Sequence, residues 1–465
     1  MSTQSGLAAE QRATPYPSAG RAWGLVGFLY LAYMLSFIDR QIVAYLVAPI
    51  RQALDITDVQ VSLIAGFAFT IFYVLLGIPL GWLADRVSRV GIVSVCIALW
   101  SVMTAACGYA GNFWQLFAAR VGVGIGEGSV TPSGVSLISD SFPRERRHLP
   151  INIFSAGVHG GLGISNIVGG LVVSAMGSEG ARGFLDALGG LQPWQATFVA
   201  VGLPGIVVSI IFWFLHEPAR QERKFDRSGA VSLLDTTRFL FSHSRIYITI
   251  IVGAAVSALA SYGMYAWVPT LFLRKYGWAS GETGVTFGLI TLVFGTGGLV
   301  ASGAIAGWMN RNGDRAAQLK ILIYSLIGAT CAAPFIIAIS SPYWTFACLA
   351  VVIFFLGTPI GLTPAALQAI TPNEMRAQIV AIYIAVVGII GLGLGSWTVA
   401  SVTQYIFKSD AAVGMSLAIV MSLAAGLSVV ILWLGLDAFR VRVTDYEGGT
   451  ETVPPMVEAA IEPQF

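Results

Sequence analysis

The chain has 465 residues, 56% of them hydrophobic and only 11% charged, with a mean hydropathy of +0.76. A soluble domain carries about 25% charged residues, so this composition excludes water as the main solvent. The 26 basic and 24 acidic side chains leave a net charge of +2, which says little beside how the basic residues are distributed.

A helix needs about 20 apolar residues to cross a bilayer. Twelve stretches meet that length: approximately 22–48, 60–84, 90–109, 113–138, 150–176, 194–215, 246–272, 282–308, 319–339, 343–368, 376–404 and 412–437. The expected fold is therefore an all-α integral membrane protein. Its expected order is a cytoplasmic tail (1–21), a six-helix bundle (22–215), a cytoplasmic linker (216–245), a second six-helix bundle (246–437) and a cytoplasmic tail (438–465). The first twenty residues do not read as a cleavable signal peptide, and the acidic, proline-containing tail after Val443 is expected to be disordered.

The basic residues orient the chain. With both termini in the cytoplasm, nineteen of the 26 fall in tails and cytoplasmic loops, five outside and two within the membrane. The positive-inside rule favours this orientation, and a bacterial-type inner membrane is the expected location. Cys96, Cys107, Cys331 and Cys348 lie in apolar spans without metal-ligand spacing, so packing is their expected role.

Four charges stand inside spans: Asp39 and Arg40 in the first, Arg120 and Glu127 in the fourth. A charge at the bilayer centre costs roughly 2.5–3.5 kcal/mol even on the generous scales, and such groups line water-filled or substrate paths. At 1.5 Å per residue, Asp39 and Arg120 fall at similar depth, with Glu127 about 10 Å nearer the cytoplasm on the face of Arg120. Arg40 points about 100° away from Asp39. The expectation is that Arg120 exchanges partners between Asp39 and Glu127 as these two carboxyls take up and release protons. Desolvation and a nearby arginine act in opposite senses on such a carboxyl. Arg40, Arg120 and Glu127 are expected at the substrate; an arginine can hold an anionic head group through two nitrogens. A static salt-bridge cluster between the two helices is the alternative.

His159 stands among glycines in the fifth span, as a packing histidine or a proton relay. The second six spans carry no internal charge, so their candidate cavity groups are neutral: Ser261, Tyr262, Tyr265, Thr358, Thr363 and Gln368, with Pro359 and Pro364 placed to break the tenth span. Tyr265 and Trp267 serve equally well as interfacial anchors. The glycines at 160–163 and 391–396 read as helix contacts rather than phosphate loops. No nucleotide-binding loop, nucleophile–base set or metal cluster appears, so no cofactor, metal or enzymatic activity is expected.

Two short matches relate the halves. GWLADRVSR at 81–89 has a counterpart in GWMNRNGDR at 307–315, and FPRERRHLPINIF at 142–154 in TPNEMRAQIVAIY at 371–383; the offsets are 226 and 229 residues. Parallel repeats with a binding cavity between them produce this pattern. GWLADRVSR also resembles the loop signature of the major facilitator superfamily, and Arg120 with Gly124 in RVGVGIGEG resembles its fourth-helix motif. FIDRQIVAYLV, AARVGVGIGEGS and LISDSF together resemble the Spinster group, transporters of sphingolipids and lysophospholipids. Ser88 and Val90 depart from the loop signature, and the fifth span lacks the proline of antiporter motifs.

The resemblance implies twelve transmembrane helices in two pseudo-symmetric halves and secondary transport by alternating access. It implies a conformational gate of Gly81, Asp85, Arg86 and Arg89, with Arg147, Arg311 and Arg376, clasping the neighbouring half. The expected function is proton-coupled movement of an amphiphilic anionic lipid. The expected partners are the bilayer, an amphiphilic or organic-anion substrate and protons, with no nucleic acid and a monomeric state. A carrier of small organic anions or drug-like compounds is the alternative, and a non-transporting membrane sensor the alternative of another class.

Overall fold

Lipid offers no hydrogen bonds, so a chain this apolar must satisfy its backbone internally, and helices do so segment by segment. The computed structural model describes residues 16–84, 86–143, 145–221 and 232–447, and the described residues are helical apart from short connections. Asp85, Arg144, residues 1–15 and 448–465, and the linker charges Glu222, Arg223, Lys224, Asp226 and Arg227 lie outside the described residues, as does the side chain of His159.

The helices used below are α1 (Ala19–Tyr45), α2 (Ala68–Ala84), α3 (Arg89–Cys107), α4 (Phe113–Glu127), α5 (Val130–Ser141), α6 (His148–Met176) and α7 (Pro193–Trp213). After the undescribed linker come α8 (Leu233–Ser242), α9 (Ser244–Tyr276), α10 (Ser280–Ile290), α11 (Thr296–Arg311), α12 (Ala317–Ala332) and α13 (Pro342–Leu356). The last are α14 (Thr358–Ala369), α15 (Arg376–Val387), α16 (Leu394–Ser401) and α17 (Val413–Glu447). Among the described residues, 11 helical stretches are long and apolar enough to cross a membrane. Their outward faces carry side chains such as Leu75, Val207, Val300 and Leu423, each more than half exposed. A bilayer, not water, is the solvent that such a surface fits.

Three features differ from the sequence expectation. The stretch 113–138 is not one helix: α4 and α5 are separated by Gly128 and Ser129. The linker region contains α8, a ten-residue helix. The last helix runs past Val443 to Glu447.

Helix α1 packs on α6, α3 on α4 and α7, and α2 on α4; later in the chain α9 packs on α17, and α12 on α13 and α17. The two groups meet where α6 lies along α10 and α1 along α9. They meet again where the π-wound turns Leu63–Phe67 and Gly388–Gly393 touch. A β-carbon on Gly66 would stand 2.7 Å from the Leu392 carbonyl oxygen, so only glycine allows this approach. A second tight contact, Gly124 against the backbone of Phe69, brings α4 onto α2 beside the buried charges: a β-carbon there would be 2.2 Å from the Phe69 oxygen.

Candidate functional site

The four charges inside α1 and α4 lie close together but pair differently from expectation. Arg40, not Arg120, holds Glu127. Its Nε and Nη2 both reach Glu127 Oε2, at 2.6 and 2.5 Å, and Ser36 Oγ donates to the same oxygen at 2.7 Å. Ser36 and Arg40 are one turn apart on α1, so they present to one neighbour. Oε1 of Glu127 is buried without a partner. The guanidinium also lies against Phe69, Tyr73 and Phe37, 4.7, 4.9 and 5.2 Å from the ring centroids. Such contacts strengthen when desolvated.

Asp39, about 100° around the helix, faces α3 and α4 instead. Its Oδ2 accepts from Thr104 Oγ1 at 3.0 Å, while Oδ1 is buried without a partner. Arg120 is fully buried and donates from Nη1 to the backbone carbonyl of Asp39 at 3.1 Å. Its Nε and Nη2 have no partner. Two arginines and two acids thus share one buried region around Phe69. Arg120 touches the backbone of one acid and the carboxylate of neither.

Arg40 reaches a cavity lined also by Phe37, Gln41, Phe69, Tyr262, Tyr265 and Trp267. It is the one guanidinium on the wall, and no carboxylate joins it there among the described residues. The remaining surface is mainly apolar and aromatic. Gln41 ties the wall together, donating to the Tyr265 carbonyl at 2.9 Å and to Asn166 Oδ1 at 3.4 Å; Tyr45 donates to the same Asn166 oxygen at 2.8 Å. Trp267 is buried and donates to the Ser396 carbonyl at 2.9 Å, so it is not an interfacial anchor.

Of the neutral residues expected here, Tyr262 and Tyr265 line the cavity. Thr358 is buried in the first turn of α14, just after the break at Gly357, and Gln368 is exposed; neither reaches this wall. Gln41, Asn166, Phe37 and Phe69 were missed. Aromatic residues one turn apart or adjacent to a buried arginine (Phe69 and Tyr73, Phe37 and Arg40) are the signal that could have found part of the set.

The expected gate is partly local. Arg89 is buried, pairs with Asp140, and bonds Glu217 Oε1 at 3.1 Å, Ser136 Oγ at 2.9 Å and the Pro218 carbonyl at 3.0 Å. Arg220 donates to the carbonyls of Ala84 and Val87 at 2.8 and 2.9 Å, closing the end of α2. All these partners of Arg89 lie before residue 221, so it clasps its own bundle rather than the neighbouring one. Burial pushes the Glu217 carboxyl up, but hydrogen bonds from Ser88 and from the backbone and side chain of Arg89 outweigh it and hold the group below its ordinary value. Arg376 bonds the nearby Thr371 carbonyl at 3.0 Å, and Arg311 is exposed. Arg86 is exposed, and Arg147 opens α6. Gly81 and Gly307 are not close-approach points: a β-carbon would meet Pro132 at 3.9 Å in the first case and nothing within 4 Å in the second.

At the opposite end the two groups of helices are joined by ions. Asp58 is buried and takes both nitrogens of Arg274 at 2.8 Å each, and Arg51 at 3.1 Å. Arg51 continues to Asp410 at 2.7 Å.

A multi-pass helical bundle with buried ion pairs beside a central aromatic cavity defines the class of membrane transport proteins. The model for the Major Facilitator Superfamily matches residues 29–396, and the chain belongs to that family. It is related to the Spinster-like group. Spinster homolog 1 of Homo sapiens is 26% identical over 340 residues, covering 69% of this chain and 60% of the relative. An MFS-type efflux pump of Mycolicibacterium smegmatis is 29% identical over 289 residues, 62% of each chain. The match therefore spans about 62% of that curated relative's length. Among solved structures, a bacterial homolog of the human lysosomal transporter Spinster, inward-facing and unoccupied, superposes with a TM-score of 0.74 at 24% identity, covering 94% of this chain and 100% of the other. A D-xylose–proton symporter superposes with a TM-score of 0.62 at 14% identity, covering 87% and 97%.

Proposed function

We propose that the protein is a secondary transporter that moves an amphiphilic anion, such as a lysophospholipid or sphingolipid-like molecule, by proton-coupled alternating access. One observation carries this reading: a single guanidinium, Arg40, on a mainly apolar and aromatic cavity wall, held by a carboxylate whose second oxygen is unpartnered. An anionic head fits the guanidinium, and an acyl or ring-bearing body fits the apolar wall.

The coupling follows from competition. Ionised Glu127 occupies two nitrogens of Arg40; a proton on Glu127 removes the charge attraction and frees the planar fork for an anion. Asp39 is the second proton site. Arg120, permanently charged and buried beside it, makes the unprotonated state tolerable. Proton and anion would then load together.

The architecture of this reading counts α4 and α5 as one further crossing. That gives twelve, in halves 22–215 and 246–437, and both termini are cytoplasmic by the arginine distribution. The Asp58–Arg274 end then faces outward and is shut by ions between the halves, while the Arg89 end faces the cytoplasm without such a bridge from Arg89. Support for the lipid class comes from a relative named as a sphingosine-1-phosphate transporter of Xenopus tropicalis, 23% identical over 306 residues, and support for small organic anions from a probable L-galactonate transporter of Escherichia coli, 23% identical over 319 residues.

Proteoliposomes with an imposed pH gradient test the reading. Lysolipid should move down the gradient-driven direction, and Glu127→Gln should abolish the pH dependence. Transport of small organic anions without lysolipid would replace the substrate class, unchanged gradient dependence in Glu127→Gln would refute its coupling role, and transport of neither class would favour the sensor reading.

A further inference from the structure

At the end of the molecule where Arg274 meets Asp58, small side chains open a furrow between α12 and α13. Gly328 and Ala332 on α12 and Ala347 on α13 leave it unfilled, and Phe335 and Trp344 stand at its rim, 62% and 70% exposed. Val351, also exposed, continues it along α13 seven residues beyond Trp344, or about 10 Å at 1.5 Å per residue. The Cys348 thiol donates to the Ala332 carbonyl at 3.2 Å, and no charged side chain lines the furrow among the described residues. Tyr343, packed edge-on against Trp278 at 5.6 Å, adds a further exposed ring at this level. Tryptophan and tyrosine so placed mark the boundary between acyl chains and headgroups.

A cation stands at the mouth. Lys275, the neighbour of Arg274 on α9, donates from Nζ to the carbonyls of Ile339 at 2.8 Å and Ile336 at 3.4 Å. Its Nζ also lies 5.1 Å from the Tyr276 ring centroid, and the Tyr276 hydroxyl donates to the same Ile339 oxygen at 3.0 Å. Ile339 itself lines the furrow, so these bonds fix the ammonium above it. An ammonium has three N–H groups, and the two carbonyls take two. Lys275 is exposed, and among the described residues no carboxylate pairs with it.

We propose that this furrow is a binding site for one anionic phospholipid of the adjoining leaflet, its phosphate on Lys275 and one acyl chain laid between α12 and α13. Charge complementarity selects this occupant: the furrow takes only apolar matter, and the single cation above it lacks an acidic partner from the protein. The site lies on the lipid-facing surface, apart from the central cavity, and requires only that the chain spans a membrane.

The test uses the full chain in phosphatidylcholine nanodiscs holding a fixed trace of phosphatidylglycerol with a diazirine midway along one acyl chain. Irradiation and peptide mass spectrometry then locate the adducts. They should gather on the furrow residues between Gly328 and Val351. As unlabelled phosphatidylglycerol replaces phosphatidylcholine, furrow labelling should fall, while labelling around the lipid-facing Leu423 and Val207 holds. Equal labelling at all three places, with no such fall, would mean annular lipid only and overturn the site. Ala347→Leu fills the furrow from an exposed position and should reduce its adducts severalfold with those at Leu423 unchanged; undiminished furrow labelling would refute the seat of the acyl chain. One lysine at an anionic lipid brings roughly a five-fold gain in association. The phosphatidylglycerol fraction giving half displacement should therefore rise about five-fold in Lys275→Gln and stay near wild type in Lys275→Arg. An unchanged fraction in Lys275→Gln would overturn the headgroup contact.

Discussion

Glu127 Oε2 receives three donors, one hydroxyl and two guanidinium nitrogens, while Oε1 receives none. That asymmetry makes the geometry of Arg40 the sensitive quantity. Lysine at 40 would keep the charge but lose the fork and the stacking on Phe69 and Tyr73, and hydrogen bonds to charged groups contribute about 1.5–3 kcal/mol. Arg40→Lys should therefore weaken substrate binding by about tenfold or more, measured as the half-saturation concentration for transport. Glu217 offers a test at the surface. Its pKa lies below the ordinary glutamate value in the folded protein. The stability it contributes is therefore present above the unfolded pKa, about 4.3, and lost as pH falls through the folded one. Glu217→Gln should melt at a lower temperature than wild type at pH 7, with the gap closing at the acid end of a pH series. A constant gap would mean that the carboxylate charge is not what holds Arg89.

Among the helices, glycine decides where two backbones can meet. Gly124→Ala would drive a methyl into the Phe69 carbonyl, cost about 1–3 kcal/mol as overpacking and shift the ring that Arg40 and Arg120 share. Gly307→Ala enters open space within α11 and should stabilise by roughly 0.5–1 kcal/mol. Thermal melts of the two variants should thus move in opposite directions. The same elements show what the residues revealed before folding. Most spans were legible to within a few residues, because lipid forces long apolar runs; the division of 113–138 and the extension of α17 to Glu447 were not. Helix α8 was not, because a ten-residue amphipathic segment averages to a polar linker. Depth and facing could be counted at 1.5 Å and 100° per residue, and they separated Asp39 from Arg40 correctly. Partner choice could not be counted: the long Arg40 arm reaches Glu127 although the backbones differ in depth, while Arg120 bonds the backbone of Asp39 and the carboxylate of neither acid.

For the whole molecule, the ends differ. Arg89 and Arg220 bind within one group of helices, while Asp58, Arg274, Arg51 and Asp410 join both. Asp58→Asn removes both the bidentate contact to Arg274 and the contact to Arg51, and should shift the population toward a form opened at that end. Spin-label distances across it should lengthen; an unchanged distribution would mean that helix packing, such as Gly66 against Leu392, holds the end closed without the ions. The resemblance to transporters was readable from the loop and fourth-helix motifs, but the ionic joint was not, since its four members are scattered from 51 to 410.

The composition of that joint has an energetic corollary. Arg51 and Asp58 belong to one group of helices, Arg274 and Asp410 to the other, so each side owns one cation and one anion. Arg51 already touches Asp58, and Arg274 lies near enough to influence Asp410. When the sides part, each can close its own pair, and no ion is stranded. Once parted and exposed, each such pair is worth only about 0–1 kcal/mol. The joint thus resembles a change of dancing partners, in which opening this end would leave each acid with a cation on its own side.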